Sequence, residues 1–228
     1  MKKIFVLFSL CGLLSGCYST TYLVNGAYHL SDANSSANAP IVVADENVFT
    51  DENVSIKAIP HETHIELSIK NIHKSSIRIL WDESVFIDNS NSAHRVIHAG
   101  VKLADKQNAQ VASVIPSGTI INDFVVPANC VEYINGDWVY SPLSKGREFT
   151  TLKDAEEEVA MCQENPSTMK LVIPIVVDDE KIEYTLSFVA DELVIKRNKE
   201  YNAKQTRQLQ LCGIAFTTVM SLLFAISL

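Results

Sequence analysis

Val177-Asp178-Asp179-Glu180-Lys181-Ile182-Glu183-Tyr184-Thr185-Leu186-Ser187-Phe188 is the stretch that decides the fold class. Its second half alternates Ile182, Tyr184, Leu186 and Phe188 with Glu183, Thr185 and Ser187, and a period of two buries one side of a strand while wetting the other. The apolar run 171–177 ends where Asp178 begins, so a compact polar turn joins two strands into a hairpin. Working outward, Ile65, Leu67 and Ile69 alternate with Glu66, Ser68 and Lys70 in the same way. Shorter strand-forming runs lie at 41–48, 54–59, 77–81, 84–87, 95–98, 120–126 and 138–140. About ten short strands separated by turn signals predict an all-β fold, an immunoglobulin-like β-sandwich over 41–195.

Two helices are expected beside it. Thr151, with Asp154 three residues on, reads as a helix start. Leu152, Ala155, Val159 and Cys162 come next at helical spacing, with Glu156, Glu157 and Glu158 assigned to water. A second helix is expected from about Lys196 into the apolar stretch 211–228. Trp81 and Trp138, among strand-forming neighbours, are the expected core anchors, with Phe86, Tyr133 and Tyr140 as further packing aromatics.

The first residues carry a targeting signal. Lys2 and Lys3 precede an apolar run from Ile4 to Leu14 that is too short for a stop-transfer helix, and the small pair Ser15-Gly16 precedes Cys17. Leu14-Ser15-Gly16-Cys17 resembles the lipobox of bacterial lipoproteins. The resemblance covers only these 17 residues, and the body resembles no family we can name. It implies loss of 1–16, diacylglycerol on the Cys17 thiol and an acylated new N-terminus, with acyl chains such as palmitate. At about 0.8 kcal/mol per buried CH₂, two or more such chains hold a protein on a membrane unaided. Residues 17–40 then become the lipidated N-terminus and a flexible tether, because 31–40 is small and polar with no apolar period.

At the other end, 211–228 is uncharged and about 27 Å long as a helix, enough to cross a bilayer. Thr217, Thr218, Ser221 and Ser227 soften it, which keeps open a helix packed on protein. The preceding stem, 196–210, holds Lys196, Arg197, Lys199, Lys204 and Arg207 against only Glu200, a composition suited to anionic headgroups. The positive-inside bias would put this stem in the cytoplasm. An export signal commits the chain behind it to translocation, so the stem is assigned to the periplasmic or outer surface. The resemblance to lipoproteins of the enteric type implies the outer membrane, since Tyr18 rather than Asp follows Cys17, whereas a single spanning helix belongs to the inner one, and both remain open.

Divided this way, the composition changes meaning. The chain has 228 residues, 47% hydrophobic, with a net charge of −8. Residues 17–195 carry −14 and 196–228 carry +4. Such an acidic body excludes a general nucleic-acid binder, which needs cations to displace counterions from phosphate. Cys11 leaves with the signal and Cys212 lies in the apolar tail, leaving Cys130 and Cys162 in the body. In an oxidising compartment these form an expected disulfide, closing a loop of about 30 residues for roughly 3.5 to 4 kcal/mol.

Chemistry-bearing motifs are scarce. His61 and His64 would face opposite sides of a strand, and His94 and His98 would stand about 13 Å apart on one, too far to chelate one ion, so both pairs read as polar surface or turn residues and no metal is expected. Asp178, Asp179 and Glu180 fit a solvated turn. There is no Gly-x-Ser-x-Gly elbow and no Gly-rich phosphate loop. The expected function is therefore non-enzymatic and without cofactor: a membrane-anchored structural or binding module of the cell envelope, within a multi-protein assembly. Its expected partners are membrane lipid, through acylated Cys17 and 211–228, and another envelope protein. The alternatives are a surface receptor or exclusion lipoprotein recognising an incoming protein, and an envelope hydrolase.

Overall fold

The computed structural model describes residues 18–36, 42–45 and 47–201. The signal 1–16, Cys17, Lys204, Arg207 and the apolar stretch 211–228 lie outside the described residues. Among those described, no helix is long and apolar enough to cross a membrane.

The chain is mostly β. In order come β1 (Tyr18–Ser35), β2 (Val42–Asp45), β3 (Val48–Thr50), β4 (Val54–Pro60), β5 (Ile65–Asn71), β6 (Ile77–Ile79), β7 (Val85–Ile87), β8 (Ala93–His98), β9 (Ser113–Ile115) and β10 (Ile120–Pro127). Next are β11 (Val131–Ile134), β12 (Asp137–Tyr140), β13 (Arg147–Phe149), the single described helix α1 (Leu152–Glu164), β14 (Thr168–Val177) and β15 (Glu180–Tyr201). By backbone contacts the described residues divide into two units. The first takes 18–23, 148–155 and 195–201, and the second takes 24–147 and 156–194.

Most strands of the larger unit join one curled antiparallel sheet, with β1-β15-β14-β7-β8-β10-β5-β4-β3-β2 in that order, β6 paired to β14 and β9 to β6, while β11 and β12 pair only with each other. The hairpin expected from sequence pairs β14 with β15, closing at Val177 opposite Glu180. Asp178 and Asp179 take φ of 45° and 66°, the left-handed pair that a two-residue type I′ turn requires and that Asp tolerates better than branched residues. Along it, Ile173 faces Tyr184, Leu171 faces Leu186 and Met169 faces Phe188, all buried. On β4 and β5, Ile56, Ala58, Ile65, Leu67 and Ile69 are buried by the same alternation. Because the sheet curls, these two halves share one cluster: Phe49 meets Tyr184 edge-on at 5.7 Å. Full burial of each such aliphatic side chain contributes about 1.5–3 kcal/mol.

Three buried side chains of this core place their polar atoms on partners. Tyr184 donates its hydroxyl to Asp51 Oδ2 at 3.0 Å, and Asp51 Oδ1 accepts the backbone N–H of Asn53 and Val54, each at 2.8 Å. Asn71 donates through Nδ2 to the carbonyls of Ser75 and Ile115. Trp81 is fully buried, stacked on His98 at 4.7 Å and donating through Nε1 to Ser113 Oγ.

Several expectations are corrected. The expected tether is strand over Tyr18–Ser35, because it pairs with β15 and buries Val24, Leu30 and Ala33. Residues 196–201 of the expected helical stem are likewise strand, the end of β15. Trp138 is half-buried rather than a core anchor. It sits on the separate β11–β12 hairpin against Tyr133 at 5.2 Å, and Tyr133 and Tyr140 are exposed. Helix α1 starts as expected, with Thr151 Oγ1 accepting the Asp154 N–H at 3.2 Å. Its Leu152 is exposed and its Glu158 is 5% exposed, the reverse of their assignments.

Candidate functional site

Within the larger unit a cleft of about 400 Å³ opens between β1, β15, the start of β14, α1 and the segment before β13. Its walls arise from local sequence. Gly26 allows β1 to lie close against β15: a Cβ there would stand 2.9 Å from Ala190 Cβ and 3.0 Å from Leu193 Cδ2. Asn165 N–H still donates to Met161 O, but Pro166 cannot continue the helix, so the chain turns across the cleft into β14. Glu158 and Cys162, four residues apart, share the helix face that points into it.

The lining is polar and largely self-paired. Tyr28 donates its hydroxyl to Ser144 Oγ at 2.9 Å, with Ser167 Oγ at 3.2 Å and Asn89 Nδ2 3.5 Å from Ser144 Oγ. Buried Glu158 is held by Arg147, whose Nη1 lies 2.6 Å from Oε1 while the guanidinium stays largely in solvent. Cys162 Sγ donates to the same Oε1 at 3.3 Å. Burial, and then the Glu158 carboxylate, push the Cys162 thiol above its ordinary value.

The disulfide expected between Cys130 and Cys162 is not formed; both thiols are free. Each is held elsewhere. Cys130 belongs to a small cluster with Ile97, Val126 and Val131, its Sγ 3.8 Å from Pro142 O, whereas Cys162 faces Glu158 in the cleft. Burial also raises the Cys130 thiol. Of the stem cations, Lys196, Arg197 and Lys199 are exposed on β15.

The histidines are separated into carboxylate pairs. His94 Nε2 lies 2.8 Å from Asp88, His98 Nδ1 3.1 Å from Asp123, and His73 Nε2 3.6 Å from Asp178 at the hairpin turn. His61 and His64 occupy the turn between β4 and β5, which lets their rings stack at 4.6 Å, and His61 bonds Glu66 at 3.2 Å. Burial and then the neighbouring His61 lower the His64 pKa. Among the described residues no three His, Cys, Asp or Glu side chains converge on one ion position.

Sequence reading missed Gly26, Tyr28, Arg147 and Glu158. Glu158 alone had a signal, lying three residues after Ala155 and four before Cys162 and so on the apolar face. Comparison with known protein families, with curated proteins and with solved structures gave no match.

Proposed function

We propose that this chain is an exported bacterial lipoprotein, held on a membrane through acylated Cys17 and residues 211–228. Its β domain acts as a non-enzymatic binding module of the cell envelope, within a multi-protein assembly, and the cleft beside α1 is its binding site. The observation that carries the binding-site reading is the polar lining of the cleft, where Tyr28, Ser144, Ser167 and Asn89 stand beside the Arg147–Glu158 ion pair. A nucleophilic thiol needs its pKa lowered by cations or a helix N-terminus. Cys162 is instead raised by burial and by Glu158, whose own charge is satisfied by Arg147. The cleft thus presents hydroxyls, amides and one ion pair for recognition. We also read the curled sheet as a sandwich of the immunoglobulin-like kind, supported by the shared core in which Phe49 and Asp51 meet Tyr184.

Two measurements test the proposal. The intact mass of the membrane-extracted protein should correspond to a chain starting at Cys17 plus acyl chains; a soluble chain retaining Met1 would refute the anchor. A photo-crosslinking residue at Asn89, on the cleft, should give a discrete envelope-protein adduct that the same residue at exposed Lys57 does not. Equal adducts from both positions, or none from either, would refute the cleft as the binding site.

A further inference from the structure

Residues 18–23 of β1 and 195–201 of β15 belong to the same unit, and β1 is the neighbour of β15 in the sheet. Farther along, their partners run in opposite directions, Ser36 bonding Glu183 and Ser31 bonding Ser187. At the outer end Ser19 Oγ donates to Glu200 O at 3.4 Å. Tyr18, covalently joined to Cys17, therefore lies at the same end of one two-stranded ribbon as the cationic run Lys196-Arg197-Asn198-Lys199.

We infer that this ribbon is a stem whose Lys196, Arg197 and Lys199 bind the anionic headgroups of the phospholipid surface. This deepens the membrane-anchored reading and rests on it. Lys196, Arg197 and Lys199 are all exposed, and residues 195–201 contain one acid, Glu200. On a strand, side chains alternate, so Arg197 and Lys199 project from one face and Lys196 from the other. The cations thus surround the ribbon instead of forming the single stripe of a helix lying flat. From 196 to 199 the strand rises about 10 Å, comparable with a headgroup layer of roughly 5–8 Å. Tyr18, 63% exposed, and Tyr22 add the amphipathic rings that favour the membrane–water boundary. Charge complementarity selects the occupant. Residues 24–194 carry −14 and 195–201 carry +2, so an anionic surface attracts this part of the chain and repels the rest.

The test uses the full chain with vesicles of phosphatidylcholine alone or with about one third phosphatidylglycerol. Acyl chains and residues 211–228 partition into both, so only the stem cations distinguish them. The wild type should favour the anionic vesicles, and K196Q/R197Q/K199Q should weaken that preference by roughly 100-fold. The wild-type preference should also vanish at about 1 M salt, where the Debye length is about 3 Å, a control that needs no variant to fold. Equal partition into both vesicles overturns the inference, as does a preference that the triple substitution leaves undiminished or that survives the salt. The mass of the mature N-terminus separates the two readings: an unacylated chain that still prefers anionic vesicles refutes the lipid anchor and leaves the stem standing.

Discussion

Replacing Tyr184 by Phe should destabilise the fold at neutral pH and do so progressively less as the solution becomes alkaline. Tyr184 is fully buried, and its hydroxyl donates to Asp51, which in turn holds the Asn53 and Val54 N–H groups. A hydrogen bond to a charged acceptor contributes about 1.5–3 kcal/mol, and Tyr184→Phe also leaves Asp51 Oδ2 buried without its donor. Burial, and next the Asp51 charge, raise the Tyr184 pKa far above its ordinary value of 10.0. The folded protein therefore keeps this proton where the unfolded chain releases it. Stability from this group is fully present below about pH 10 and falls above it by about 1.4 kcal/mol per pH unit. The phenylalanine variant lacks the proton, so the difference between the proteins should shrink by about 1.0 kcal/mol between pH 10 and 11, and by about 1.4 kcal/mol between pH 7 and 11. Urea unfolding of both full-length proteins in mild detergent, tracked by the fluorescence of buried Trp81, measures it at pH 7, 10 and 11. A substitution cost below about 0.5 kcal/mol, or one equal at pH 7 and pH 11, would refute this account of the Tyr184–Asp51 pair.

Gly26→Ala should lower stability by about 1–3 kcal/mol by overpacking β1 against β15, and Ala190→Gly in the same chain should recover most of it; thermal unfolding that shows no recovery would place the strain elsewhere. Asn71→Ala should cost about 2–4 kcal/mol, since it strips the donor from two carbonyls, those of Ser75 and Ile115; an unchanged urea midpoint would contradict that pairing. Cys162 should alkylate with a pH midpoint above the ordinary 9.0, moving down in Glu158→Gln as the carboxylate is removed, and a midpoint that stays or rises would refute Glu158 as its neighbour. Without reductant, both Cys130 and Cys162 should take label on unfolding; a mass two hydrogens short and refractory to label would restore the disulfide.

The strands carrying their own alternation were legible. β5 and the 182–190 part of β15 each bury every second residue, so hydrophobic burial imposes the pattern on the sequence itself, while β14 shows as an apolar run. The Asp178-Asp179 turn was legible for the same local reason. Asn135-Gly136 carries the same kind of local turn signal. Its φ values of 53° and 96° close the β11–β12 hairpin, whose exposed residues break the alternation that marks a strand.

What the sequence determined by itself was whatever depends on neighbours in the chain: the all-β class, the main hairpin, the Thr151 helix start and the separation of an acidic body from a basic end. Only the tertiary structure decided the rest. Tyr18–Ser35 becomes a strand because β15 supplies hydrogen-bond partners from more than a hundred residues away and the core takes Val24, Leu30 and Ala33. Cys130 and Cys162 stay apart because each is packed into a different neighbourhood, which no spacing encodes. Glu158 is buried because Arg147 reaches it, and the cleft exists because Gly26 lets two distant strands approach. Those contacts join residues far apart in sequence, and their energies depend on geometry that appears only once the sheet has curled.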